Sequence, residues 1–215
     1  MFTQKIYVFS LLLLAFTINV EGSKLKVSIY YEGLCSDSIT FLNNQVLPAY
    51  AIIGEYVDLD LIPYGKASQQ LVNGVWYFQC QHGRQECYSN IIQACALNMG
   101  YQQWPTFKFV NCVMGKRMQS SMQQCSDYSG LNWDAIKSCA SSANGQQILA
   151  RYGQRTHMLQ PRLSFVPTTV FDDVYDRSVQ ENSLMDFLGT VCSRLETKPS
   201  GCTVLRGRSA YYWWM

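Results

Sequence analysis

The sequence predicts an α/β protein, a sheet domain interrupted by a disulfide-bonded helical insertion. Three patterns carry that prediction. A short apolar strand from Lys26 ends at Gly33, and after Cys35 the apolar residues Ile39, Leu42, Val46 and Ile53 fall near one helical face. Val57 to Ile62, VDLDLI, then alternates apolar and acidic residues as a strand with one wet face does. Between Cys80 and Cys139 the chain turns rich in Cys, Gln, Ser, Met and Ala and poor in β-branched runs, a composition suited to short helices tied together by sulfur.

The order of these elements follows from the N-terminus. Lys5 precedes an apolar core from Ile6 to Phe16 and a small-residue exit at Val20, Glu21 and Gly22, which reads as a secretory signal cut near Gly22. That core is shorter than the ~20 residues a spanning helix needs, and no later segment is apolar enough to span. Strand, helix and strand from Lys26 to Tyr64 form a βαβ unit whose two strands must run parallel, and the turn Pro63, Tyr64, Gly65 closes it. Val75 to Gln79, VWYFQ, is a short strand or extended arm. Helical patterns follow at Asn90 to Met99, Trp104 to Val113, Trp133 to Ala140 and Gly145 to Gln154.

Strand character returns at Phe165 to Tyr175. Pro167 belongs at the strand's start or in a special turn, and Asp172 with Asp173 suggests a hairpin turn before a second short strand. Ser183 to Leu195 reads as one final amphipathic helix. The divisions expected are a signal over 1–22, an N-terminal half of the sheet domain over 23–79, the Cys-rich insertion over 80–160, the C-terminal half over 161–195 and a tail over 196–215. The tail ends in Tyr211, Tyr212, Trp213, Trp214 and Met215, for which packing on the domain or disorder is expected, the alternative being an exposed aromatic contact for a partner or lipid headgroup.

Charge and cysteine content exclude several function classes. The 17 Lys and Arg against 15 Asp and Glu form no basic stripe, so nucleic acid is not an expected partner. The nine cysteines behind a secretory signal imply an extracytosolic disulfide framework. Nine is odd. Setting Cys35 aside leaves Cys80, Cys87, Cys95, Cys112, Cys125, Cys139, Cys192 and Cys202, which can all pair; a dimer linked through Cys35 satisfies parity equally well. Cys192 and Cys202 are close enough in sequence for a local bridge. No Asn-x-Ser/Thr acceptor exists, which closes any lysosomal route that depends on N-linked glycan and favours secretion, with the endolysosomal lumen as the alternative.

Cys35 falls at a predicted helix N-terminus, where unpaired amides and the helix dipole favour the thiolate. Asp37 opposes that ionisation with its own charge. A dithiol redox site would carry a second cysteine three residues on, to attack the mixed disulfide and release the substrate. This chain has Ser38 there, in the run CSDS.

The most specific pattern is CQHGRQECYSNIIQAC. It resembles the signature of the gamma-interferon-inducible lysosomal thiol reductase (GILT) family at Cys80, Gln81, His82, Gly83, Glu86, Cys87, Asn90 and Cys95. The similarity extends through IPYGKA, GQRTHMLQPRLSFVPTTV and the later cysteines. It implies a thioredoxin-like fold with a helical insertion, secretory or endolysosomal location, and reduction of protein disulfides through a Cys-x-x-Cys site. Cys35 aligns with the family's nucleophile, Ser38 replaces its resolving cysteine, and Pro167 matches the proline that thioredoxin-like folds hold in cis facing the thiol.

The resulting expectation is a secreted GILT-like protein with a degenerate site, weak or inactive as a reductase, that acts by binding a protein partner. The alternative is a monothiol exchanger in which Cys35 attacks a disulfide-containing protein and an external thiol completes the cycle. Cys80, His82, Cys87 and Cys95 include zinc-ligand types, but cysteines in an oxidising compartment pair with each other, so no metal and no cofactor is expected. Gln81, His82 and Glu86 are expected to hold their loop by hydrogen bonds, and His157 to be structural.

Overall fold

The computed structural model describes residues 23–203. The predicted signal and the aromatic tail lie outside the described residues.

Strand β1 (Leu25–Tyr31) is the centre of a three-stranded sheet in the order β2-β1-β5. It pairs parallel to β2 (Val57–Pro63), with Leu25 opposite Val57 and Tyr31 opposite Pro63. It pairs antiparallel to β5 (Thr168–Phe171), with Tyr30 opposite Thr168 and Val27 opposite Phe171. The two-residue alternation of a strand separates the faces. Leu25, Val27, Ile29 and Tyr31, with Val57, Leu59 and Leu61, enter the main core, whereas Tyr30, Ile62 and Val170 form a small cluster on the opposite face beside Tyr152, Leu159, Leu163 and Tyr175. Asp60 also lies on that second face. It accepts from Ser28 Oγ at 2.9 Å and is ion-paired with Arg155, so Asp60 is held half-buried while Asp58, the other acidic residue of the β2 alternation, is exposed.

The helix after Cys35 is one continuous run in three parts: α1 (Ser36–Phe41), a π-helical segment (Leu42–Val46) and α2 (Leu47–Ile53). Leu42, Val46 and Ile53 are buried and Ile39 is partly buried, as one apolar face requires. The wider π segment adjoins Pro48, which lacks an N–H to donate into the preceding turn.

Ser68–Val72 forms β3, which pairs with β4 (Val75–Gln79) as a separate antiparallel hairpin. Val75 to Gln79 is therefore a strand, with a partner whose polar sequence SQQLV had concealed it. Five helices follow: α3 (Arg84–Leu97), α4 (Gln103–Val113), α5 (Gln119–Ser129), α6 (Trp133–Ala140) and α7 (Ala143–Met158). The sequence periodicity places α3 to begin at Asn90, but the helix starts six residues earlier at Arg84. Its first turns hold Glu86, Cys87 and Ser89 buried among partners, so polarity there does not mark solvent. Helix α5 has no counterpart among the sequence expectations; its buried residues Met122, Cys125, Ser126 and Ser129 are mostly small or polar and leave little apolar stripe to read.

Two expectations near the C-terminus are corrected. The second strand after Asp172 and Asp173 reduces to an isolated bridge between Phe171 and Val174, because both aspartates have positive φ and fold the chain tightly. The single helix predicted over Ser183 to Leu195 is two, α8 (Arg177–Met185) and α9 (Phe187–Arg194). Asp186 leaves helical geometry and accepts from the Gly189 N–H at 2.8 Å, capping α9 and ending α8. Phe187 then meets Phe41 edge-on at 5.7 Å and seats α9 against the helix after Cys35.

The eight cysteines other than Cys35 pair as Cys80–Cys87, Cys95–Cys139, Cys112–Cys125 and Cys192–Cys202. Cys95–Cys139 joins α3 to α6 and Cys112–Cys125 joins α4 to α5, so the insertion is stapled helix to helix. Among the described residues no helix is long and apolar enough to cross a membrane.

Candidate functional site: the loop after β1

Strand β1 delivers Glu32, Gly33 and Leu34 into a turn whose next residue is Cys35. Cys35 is the N-cap of α1: its carbonyl accepts from the Ile39 N–H at 3.0 Å and its own N–H donates to the Glu32 carbonyl at 3.4 Å. It is the free cysteine among the described residues and is only 8% exposed. Ser36 and Asp37 face solvent, whereas Ser38 turns inward and is fully buried. Its Oγ accepts from the Glu32 N–H at 3.5 Å, a long contact across the turn. Position 38 thus holds a buried hydroxyl, which hydrogen-bonds but cannot form a disulfide.

Helix α3 holds the back of this turn. Asn90 Oδ1 accepts from the Gly33 N–H at 2.9 Å. A Cβ on Gly33 would lie within 3 Å of Ser89 Oγ, Gln93 Nε2 and Asn90 Oδ1, so only glycine admits α3 this close. Gln93 in turn accepts from Tyr31 Oη at 2.7 Å and donates to Ser89 Oγ at 3.0 Å. Desolvation keeps the Tyr31 hydroxyl protonated far into the alkaline range.

The signature residues divide into distinct structural roles. Cys80 and Cys87 form a disulfide, and Cys95 bridges to Cys139. Gly83, at φ 82°, is the N-cap of α3. Glu86 reaches back from the first turn of α3, accepting from the His82 N–H at 3.0 Å and meeting His82 Nδ1 at 2.5 Å. Gln81 is exposed.

Sequence reasoning did not single out Glu32. This carboxylate is fully buried, Oε1 accepts from the Lys66 N–H at 2.7 Å, and Oε2 faces His82 Nδ1 at 3.5 Å. A Cβ on Gly65, itself at φ 59°, would strike the Glu32 side chain at 2.2 Å, so the IPYGKA turn needs glycine to close over it. Burial pushes the Glu32 carboxyl above its ordinary range; the Lys66 N–H opposes this, the charge of Glu86 reinforces it, and His82 and Lys66 charges oppose it. The only sequence signal was an acidic residue directly at the end of an apolar strand.

The Val166–Pro167 peptide is cis, as is Gln160–Pro161. Thr168 opens β5 opposite Tyr30, which places Pro167 at the same end of the sheet as the turn leading to Cys35. The Pro167 carbonyl accepts from Gln180 Nε2 at 3.0 Å. The Gln180 side-chain oxygen accepts from both the N–H and the hydroxyl of Thr169, whose hydroxyl also meets Ser183 Oγ at 2.7 Å. This network is buried, and the polar residues Gln180 and Ser183 in an otherwise ordinary helix gave no sign of it. His157 stands apart, exposed and edge-on to Tyr64 at 5.4 Å.

Comparisons with known proteins agree with this architecture. The model of the family described as gamma interferon inducible lysosomal thiol reductase matches residues 26–129. The chain is 34% identical over 207 residues to the gamma-interferon-inducible lysosomal thiol reductase-like protein of Anopheles gambiae, covering 89% of this chain and 86% of that one. It is 29% identical over 185 residues to the Mus musculus gamma-interferon-inducible lysosomal thiol reductase, covering 83% and 71%. Among solved structures it is similar in fold to the DsbA of Chlamydia trachomatis, with a TM-score of 0.56, 10% identity and coverage of 76% of this chain and 84% of that one. It is likewise similar to MdbA, a thiol-disulfide oxidoreductase of Actinomyces oris, with a TM-score of 0.57, 13% identity and 84% coverage of each. The chain has the thioredoxin-like, DsbA-type fold and belongs to the gamma-interferon-inducible lysosomal thiol reductase family.

Proposed function

We propose that this protein has given up efficient dithiol reduction and acts chiefly by binding disulfide-containing protein in the extracellular space or the endolysosomal lumen. One observation carries the reading. Position 38 is a buried serine, while every described cysteine except Cys35 is already tied in a disulfide. No second thiol is available among the described residues to resolve a mixed disulfide on Cys35. The low exposure of Cys35 adds to this, since attack on a protein disulfide requires access to the sulfur.

Free Cys35 at a helix start favours a second reading, monothiol exchange. Its thiolate attacks one sulfur of a substrate disulfide, forming a mixed disulfide and releasing the other substrate sulfur as thiolate. An external thiol then attacks the Cys35 sulfur and releases the remaining substrate thiolate. A second external thiol frees Cys35 and leaves as the oxidised small disulfide. In both readings the end of the sheet carrying Cys35 and Pro167 receives the partner chain. A Cys35-linked dimer is a further partner reading; burial of Cys35 weighs against it, and a non-reducing gel beside Cys35→Ser tests it.

The deciding measurement is reduction of a disulfide-bonded protein such as insulin by the mature protein, Cys35→Ser and Ser38→Cys, at acidic and neutral pH, with and without glutathione. The expected result is an inert parent and a Ser38→Cys variant that turns over. Parent turnover that requires glutathione and is lost in Cys35→Ser selects monothiol exchange. Parent turnover equal to that of Ser38→Cys overturns the proposal.

A further inference from the structure

Behind the Cys35 turn, one side chain from the strand exit and two from a segment 50 or more residues later point at one spot. They are Glu32 from the end of β1, His82 from the loop closed by Cys80–Cys87, and Glu86 from the first turn of α3. One ligand-type atom from each lies within 4.8 Å of the others. The chemistry of the group is unbalanced as it stands. Both carboxylates are buried, with side-chain exposures of 1% for Glu32 and 0% for Glu86. Among the described residues neither is ion-paired with a lysine or arginine, and the sole side chain within ion-pair distance that can carry positive charge is His82. Two buried carboxylates against one imidazole leave net negative charge out of water, an arrangement proteins offset with a bound cation or a proton.

The hydrogen bonds show where the imbalance falls. Glu86 has both oxygens engaged by His82, and Glu32 Oε1 is engaged by Lys66. Glu32 Oε2 has no hydrogen-bond partner although it is buried and directed at His82 Nδ1, 3.5 Å away. An oriented carboxylate oxygen with an unfilled lone pair, beside a second carboxylate and an imidazole nitrogen, is a donor set that divalent first-row metals take. The geometry is close to what such an ion needs. Ligand atoms about 2.0–2.2 Å from one metal stand roughly 3.3–3.6 Å apart in a tetrahedral set, and the Glu32–His82 separation of 3.5 Å already matches. The Glu86–His82 pair must open from 2.5 Å, which exchanges a hydrogen bond for a metal bond. His82 has the freedom to do this because its side chain is 38% exposed, and that same opening leaves the outer coordination positions to water.

We infer that Glu32, His82 and Glu86 form a binding site for one divalent cation of the zinc or manganese type, coordinated through Glu32 Oε2, His82 Nδ1 and a Glu86 carboxylate oxygen. The site is separate from sulfur ligation, because Cys80 and Cys87 are bonded to each other. It departs from the expectation drawn from sequence, which weighed Cys80, His82, Cys87 and Cys95 as ligands and did not weigh Glu32. A cation here ties three segments together: the strand exit whose carbonyl receives the Cys35 N–H, the disulfide loop, and the start of the helix that holds Gly33. Its role is to brace the turn that presents Cys35, and it needs no part in thiol exchange.

Isothermal titration of the chelator-treated, disulfide-intact mature protein with ZnCl2 and separately with MnCl2 at neutral pH tests this, with melting temperature followed in parallel. The expected result is one equivalent bound by the parent with a rise in melting temperature, and affinity weakened at least tenfold in His82→Ala and in Glu32→Gln. His82 is solvent-facing, so His82→Ala keeps the test decisive should Glu32→Gln fold poorly. His157→Ala serves as the control histidine and is expected to bind as the parent does. Absence of binding in the parent, as a proton on Glu32 in place of the cation would give, overturns the inference. So does binding that His82→Ala leaves unchanged.

Discussion

The Gly33 N–H donates to Asn90 Oδ1 at 2.9 Å, joining α3 to the backbone two residues before Cys35. Asn90 is fully buried, and α3 approaches Gly33 too closely for any side chain there. The family signature therefore acts on the Cys35 turn from behind, through a backbone amide.

Asn90→Ala orphans that amide in a site where water has little room. A buried donor left unpaired costs about 1–3 kcal/mol. Urea denaturation with disulfides intact is expected to show a loss in this range, and alkylation of Cys35 is expected to quicken as the turn loosens. A loss below about 0.5 kcal/mol would show that the contact holds nothing.

Ser38 already faces inward from the first turn of α1, so a cysteine there needs no change of backbone direction. Ser38→Cys is expected to close a disulfide between Cys35 and the introduced thiol under air, taking the count of titratable thiols in the native mature protein from one to none. Two reactive thiols persisting after oxidation would refute that placement.

Gln180 serves the Pro167 carbonyl and the Thr169 N–H and hydroxyl at once. Gln180→Ala leaves these buried groups without their partner, and a loss of about 2 kcal/mol or more is expected from equilibrium unfolding. Glu181→Ala, one residue on and solvent-facing, is expected to change stability by less than about 0.5 kcal/mol.

Burial pushes the Tyr50 hydroxyl up to about 12, with the charge of Asp58 adding to it. The folded state holds this proton more tightly than the unfolded chain, whose tyrosine titrates near 10. Stability from this group is thus fully present below about pH 10 and is lost as pH rises toward 12. Tyr50 also donates to Gln103, so Tyr50→Phe is expected to lower stability at neutral pH by about 1 kcal/mol and to flatten the alkaline decline. Tyr30, Tyr31, Tyr64, Tyr88 and Tyr152, also pushed up by burial, contribute to the remaining slope. An alkaline profile parallel to that of the parent would contradict the assignment.

The Cys95–Cys139 bridge closes 44 residues and Cys192–Cys202 closes 10. Loop-closure entropy gives about 4 kcal/mol for the first and just under 3 for the second. The paired Ala variants are expected to fall in that order in thermal unfolding. The reverse order would show that native packing, and not chain entropy, sets their contributions.

Much of the fold was legible because its signals are periodic. Ile39, Leu42, Val46 and Ile53 share a helical face whatever surrounds them, and VDLDLI reads as a strand because alternate side chains leave opposite faces. Trp133 to Ala140 was read with its observed boundaries for the same reason. Where polar residues are buried the periodicity fails. The start of α3 carries Glu86 and Ser89 inside, α5 buries serines, and β3 exposes most of SQQLV, so none of these announced itself. The α8–α9 break is of another kind, since Asp186 reads equally well as an exposed helix residue until its carboxylate is seen to cap Gly189.

By itself, the sequence determined the class, the odd cysteine count, the serine at position 38 and the family signature, because residue identity and spacing are one-dimensional facts. Tertiary structure alone decided how the six cysteines from Cys80 to Cys139 pair, that Cys35 is left free, that Asn90 holds Gly33, and that Glu32 stands opposite His82 and Glu86. The longest of them join residues far apart in sequence: 44 positions for Cys95–Cys139, 57 for Gly33 and Asn90, and 50 or more for Glu32 and its two neighbours. No local rule reaches across such distances; they arise only when α3 packs against the end of β1 and the buried polar groups must find partners in one another.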